Sequence, residues 1–232
     1  MKKIFILIFL YIYTLSFAQI NISIHFSDEK RPLKIVITLT NKTNEYYAVP
    51  FDKKGFKAYN IEEICSSLNT LDYPHYFFAP ALIFKDPQNN NTVESLIGSY
   101  HIDRLSNENA QRIKKEELKE KERILKWKNQ NNFTNDMEAI RNLYINENLV
   151  LLSPKEKLNI ELEMDVYNIR RGNTYFYNYY VLTNEKTYNL SIKLCADKNI
   201  YNYLTKKQKK YLEKYILFTG NLESNTLSYV YN

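Results

Sequence analysis

The sequence predicts a mainly β protein: one antiparallel β-sandwich domain over residues 19–232, with a charged α-helical insertion at about 106–147. Two observations carry this expectation. Apolar and polar residues alternate over several separate stretches, the period of a strand with one buried face. Helix-forming segments are gathered into two links rather than following each strand, which favours a sandwich over alternating βαβ units.

Ile20, Ile22, Ile24 and Phe26 alternate with Asn21, Ser23 and His25, giving a first strand with His25 on its polar face. Leu33 to Leu39 repeats the pattern, and Tyr46 to Val49 resumes it after Asn41, Lys42, Thr43 and Asn44, residues that favour turns. A hairpin or a corner between two sheets follows. Residues 61–68 suit a helical turn, and Tyr76 to Lys85 is apolar enough for a buried strand, which Pro80 would place at an edge or a bulge. From Ser106 to Asn129 helix formers and dense mixed charge take over, with Ile113, Ile124 and Trp127 on one side. Asp136 to Tyr144 suits a second, shorter helix. Strand patterning returns at Leu149 to Ser153, at Leu158 to Tyr167, in the aromatic run Thr174 to Leu182 and at Thr187 to Cys195. A Lys-rich helical link at 202–215 and strand material at 217–220 and 226–231 close the chain, for about eight strands in all.

Residues 1–18 place Lys2 and Lys3 before an uncharged apolar run from Ile4 to Phe17, with Ser16 and Ala18 where a signal peptidase reads. The run is too short for a membrane span, which needs about 20 residues. A signal peptide over 1–18 and a mature chain from Gln19 are therefore expected, exported to the periplasm, the cell surface or the medium. No other run approaches membrane-spanning length. From Gln19 onward there are 30 basic and 26 acidic residues, a balance that does not argue for nucleic acid. In an oxidising compartment, Cys65 and Cys195 could form a disulfide or remain two buried thiols.

The segments ITLTNKTNEYYAV, LLSPKEKLNIELEMDV, TYNLSIKLCAD and FTGNLESNTLSYVY resemble strands of exported immunoglobulin-like β-sandwich proteins of bacteria. That group carries a Leu-x-Pro-Gly turn and a late Gly-x-x-Ser-Asn segment. Leu152, Ser153 and Pro154 match the first, with Lys155 where Gly is usual, and Gly220 to Asn225 match the second in outline. The resemblance implies an immunoglobulin-like sandwich and brings no active site with it. The paired cysteines and buried tryptophan of antibody domains are absent, the one tryptophan, Trp127, lying in the charged helix.

Chemistry-bearing residues are sparse. His25, His75 and His101 are scattered without the short-gap spacing of a zinc site, and no glycine-rich phosphate loop occurs among four glycines, so neither metal nor cofactor is expected. Cys65 with His75 is the one pair that could be drawn as a thiol and its base. In an extended chain Tyr175, Tyr177 and Tyr179 project to one face, with Phe176 and Tyr180 on the other. Tyrosine combines rigid apolar area with a polar tip, so this stripe is either a binding surface or the rim of the core. The sequence therefore reads as an exported cell-envelope protein that binds a protein or glycan, with no catalytic activity expected. The alternatives are an inhibitor of an envelope hydrolase and a thiol-dependent enzyme using Cys65 and His75.

Overall fold

Alternation over Ile20–Asp28 (β1), Leu33–Asn41 (β2) and Lys157–Met164 (β8) produces a three-stranded antiparallel sheet in the order β1-β2-β8. Ile22 sits opposite Leu39, and Ile37 opposite Ile160, so the apolar residues of all three strands share one face. The computed structural model describes residues 19–28, 33–60, 77–99, 107–170 and 176–231; the expected signal peptide and the helical turn at 61–68 lie outside them. Among the described residues there are fourteen strands in four sheets rather than about eight, and the fold is mainly β.

The remaining sheets are built from short strands. Tyr46–Pro50 (β3) lies between Leu149–Leu152 (β7) and Tyr215–Leu217 (β12). Thr187–Ala196 (β11) pairs Ala81–Lys85 (β5) on one side, and on the other it pairs Gly220–Glu223 (β13) and then Leu227–Val230 (β14). Lys57–Ala58 (β4) continues that sheet beyond β5. The fourth sheet runs Ser95–Ser99 (β6), Phe176–Tyr180 (β10), Ile169–Arg170 (β9). Two pairings depart from the expected antiparallel pattern: β12 runs parallel to β3, and β4 parallel to β5. Pro80 does not put its strand at an edge either. It directly precedes β5, which has β11 on one side and β4 on the other, so the missing N–H falls outside the ladder.

Residues 41–46 form a corner and not a hairpin, because β2 and β3 belong to different sheets. The strands β7 and β8 turn the same corner alongside, β3 pairing β7 and β2 pairing β8. Asn41, fully buried, ties the two together. Its Nδ2 donates to the carbonyls of Glu45 at 2.6 Å and Ser153 at 2.8 Å, and its Oδ1 accepts from the Thr43 amide and hydroxyl. A buried amide with all its bonds made stabilises where an unpaired one would cost about 1–3 kcal/mol. At Lys155, where glycine is usual in the resembling group, φ is +61°, the left-handed region that favours glycine.

Near the end of the chain Ser224 and Asn225 fill the gap between β13 and β14. The Ile192 amide donates to Ser224 Oγ at 3.0 Å. Asn225 accepts from the Ile24 amide at 2.8 Å and donates to the Ile24 carbonyl at 3.0 Å, so one side chain occupies backbone positions along β1. It joins the β1 sheet to the β11 sheet.

Among the described residues two hydrophobic clusters result. The first lies between the inner faces of these sheets, with Ile22, Ile37, Leu39, Ile160 and Leu162 on one side and Leu82, Phe84, Leu190, Ile192 and Leu194 on the other. The second lies behind β3, where Ala48 meets Tyr144, Ile145, Ile200, Leu204 and Leu212. Its helices are Asn107–Gln130 (α1), Asp136–Glu147 (α2), a 3-10 turn at Lys198–Tyr203 and Lys206–Tyr211 (α3). None of the α1 side chains described is fully buried; Leu118 and Leu125 face solvent, and the helix touches the rest through half-buried Ile113, Ile124 and Trp127. Its ion pairs join Arg123 to Glu120 and Glu147, and Lys128 to Asp136.

Buried polar groups hold the second cluster. Asn142, fully buried, accepts from Trp127 Nε1 at 3.0 Å and donates to the Tyr203 carbonyl and to Gln208 Oε1, linking both long helices to the 3-10 turn and α3. Tyr144 donates its hydroxyl to Asp52 Oδ2 at 2.9 Å and accepts from the Phe78 amide at 3.0 Å. Burial and the adjacent Asp52 carboxylate push the Tyr144 phenol well above its ordinary range.

Candidate functional site

The aromatic run becomes β10, the middle strand of its sheet, and its two faces have different fates. Tyr180 points inward and is fully buried, its ring edge-on to Phe84 at 4.9 Å. Its hydroxyl donates to the Leu82 carbonyl at 2.6 Å and accepts from the Tyr59 amide at 2.7 Å. Burial raises the Tyr180 pKa, so the phenol stays protonated and keeps donating. Asn178, also buried, donates to Ser95 Oγ at 3.2 Å. These bonds fix the orientation of the whole strand.

Tyr177 and Tyr179 consequently project to the opposite face, where both are half-buried, their rings 6.0 Å apart and tilted by 44°. Across the ladder they face Gly98 and Leu96 of β6, and Leu96 is 47% exposed. A Cβ on Gly98 would meet the Tyr177 ring at 2.5 Å, so that ring lies directly on the Gly98 backbone. Glycine inside a strand commonly marks such a close approach. Phe176, on the other face near the strand end, is 51% exposed. Tyr177, Tyr179 and Leu96 present ring area, two hydroxyls and aliphatic area on one face, with Arg170 of β9 in register opposite Tyr177, a surface suited to stacking a sugar ring or seating an apolar side chain.

Cys195 is buried on β11 and disulfide-bonded. Cys65, His75 and Tyr175 lie outside the described residues. His25 is exposed on β1 as its alternation implies. Among the described residues no group of three His, Cys, Asp or Glu is placed to hold a metal ion. No family model, curated protein or solved structure matches the chain.

A cleft elsewhere in the molecule carried no signal in the sequence. With a volume of about 330 Å³, it opens between the α1–α2 loop and the 3-10 turn, lined by Phe133, Glu138, Asn199, Asn202, Tyr203, Leu204 and Thr205. Its walls come from segments more than sixty positions apart, which no local pattern links.

Proposed function

We propose that this chain is an exported cell-envelope binding protein, built as one immunoglobulin-like β-sandwich with a charged helical insertion, that holds an envelope glycan or protein on the Tyr177 and Tyr179 face. The observation that supports the reading is the division of β10: Tyr180 anchors the strand in the core, and the other two tyrosines are thereby held half-exposed beside Leu96. Side chains fixed in this way lose little freedom on binding, which favours recognition. The sandwich is supported by the single cluster shared between the β1 and β11 sheets, and by the glycine-like backbone at Lys155. Export rests on the order of charge, apolar run and small residues in 1–18. Within the same reading, Cys195 is bridged to Cys65, the other of the two cysteines, which leaves no thiol for covalent catalysis.

The test is capture of envelope material, insoluble glycan and solubilised envelope protein offered separately, by the immobilised protein. Replacing Tyr177 and Tyr179 together by Ala is expected to weaken capture at least about tenfold, equivalent to about 1.4 kcal/mol. Undiminished capture by this variant, with unfolding unchanged, would sink the proposal. Alkylation of a thiol before reduction would reject the bridge.

A further inference from the structure

The segment from Asp197 to Lys214 carries a concentration of charge that the tyrosine face does not use. It holds six lysines, Lys198, Lys206, Lys207, Lys209, Lys210 and Lys214, no arginine, and the two acids Asp197 and Glu213. Of the 30 basic and 26 acidic residues from Gln19 onward, those outside this segment number 24 of each. The net positive charge of the chain past its leader is therefore located here.

The fold turns these lysines outward. Thr205 and Gln208 form a capping box at the start of α3, and Gln208 reaches inward to Asn142, which orients the helix. Leu212 is buried just after its end. All six lysines are exposed, and none of Lys206, Lys207, Lys209 and Lys210 makes an ion pair with a described residue. In α1, by contrast, Arg123 and Lys128 are both paired with carboxylates. Apolar area accompanies the charge. Tyr211 is 69% exposed, and the Lys214 ammonium lies 4.8 Å from the Tyr46 ring centroid and 5.2 Å from that of Tyr215.

We propose that this lysine face, with Tyr211, docks the protein onto an anionic lipid surface. Lysine is a point charge on a flexible stem, suited to a diffuse layer of headgroups, whereas a defined phosphate or a base edge is better matched by the planar fork of arginine. The stems cover apolar surface while their ammonium groups reach the headgroups. Tyrosine favours the same boundary, with its ring toward the acyl chains and its hydroxyl toward water. Four or more basic residues on such a face are enough to recruit a protein to anionic lipid, each contributing about fivefold in affinity near the surface.

The full chain, whose leader is common to every variant, is sedimented with vesicles of phosphatidylcholine alone and with vesicles containing about one third phosphatidylglycerol. The expected result is binding at least about 100-fold tighter to the anionic vesicles, declining steeply as salt rises. The variant K206Q/K207Q/K209Q/K210Q should lose that increment with unchanged circular dichroism, since Gln is as good a helix former as Lys and the four side chains are exposed. Tyr211→Ser should lower anionic-vesicle binding about fivefold while leaving the charge intact. No increment for the unmodified chain, or an increment that survives the four substitutions, would overturn the proposal. So would displacement from the vesicles by a single-stranded oligonucleotide at equal anionic charge, which would assign the face to an acidic polymer.

Discussion

The two hydrophobic clusters are held together by different means. Between the β1 and β11 sheets the contacts come from strands whose alternation already separates inside from outside. Behind β3 the helices seat through specific polar bonds, Asn142 to Trp127, Tyr203 and Gln208, and Tyr144 to Asp52. The first cluster is therefore specified mainly by pattern and volume, with Asn225 and the Tyr180 hydroxyl as its polar ties, the second mainly by geometry. A pattern tolerates exchange of one apolar side chain for another of similar size, whereas a buried polar network fails when any member is lost.

The largest separation should come from truncation in the first cluster. Ile37 is fully buried in β2, and Ile37→Ala is expected to cost about 3–5 kcal/mol in urea denaturation, with Ile37→Val within about 1.5 kcal/mol. The second cluster should not show that tolerance. Asn142→Leu preserves approximate volume but leaves the Trp127 N–H and the Tyr203 carbonyl without their partner, for an expected loss of about 2–3 kcal/mol. A smaller loss than for Ile37→Val would erase the distinction between the clusters.

The smallest effect at neutral pH concerns the phenols. Tyr144 and Tyr201 in the second cluster and Tyr180 in the first all have pKa values raised by burial. Below about pH 10 the folded and unfolded chains both hold these protons, and the stabilisation is complete. Above it the unfolded chain ionises while the folded chain does not, so stability falls by about 1.4 kcal/mol per pH unit for each phenol as pH rises toward the folded values. Tyr201→Phe removes the bond to the Phe218 carbonyl, costs about 1 kcal/mol at pH 7 and should lessen the alkaline slope by one such increment. An unchanged slope would mean that Tyr201 ionises equally in both states.

What could be read from the sequence follows the same division. The strands β1, β2, β8 and β11 and the helices α1 and α2 follow from periodicity, because each sets its own faces locally. The separation of Tyr177 and Tyr179 from Tyr180 was equally legible. The β6 strand was not anticipated, since SLIGS is short and neither apolar throughout nor alternating. Parallel pairing of β12 with β3 brings together residues far apart in the chain, and three residues cannot announce such a partner. Asn41, Asp52 and Asn142 read as loop or surface residues until the carbonyls, amides and hydroxyls that satisfy them arrive from elsewhere.

The shared corner at Asn41 also governs the order in which the chain can be completed. Asn41 bonds to Ser153, 112 positions later, and Thr38 to Asn159, 121 positions later. During synthesis β2 and β3 emerge well before β7 and β8 exist, so their open backbone edges must wait, and pairing at such separation is slow. Waiting edges invite pairing with other chains. Lys34 on the outward side of β2 places a charge on that nascent strand, which makes it a poorer template for a neighbouring molecule until its own partner arrives.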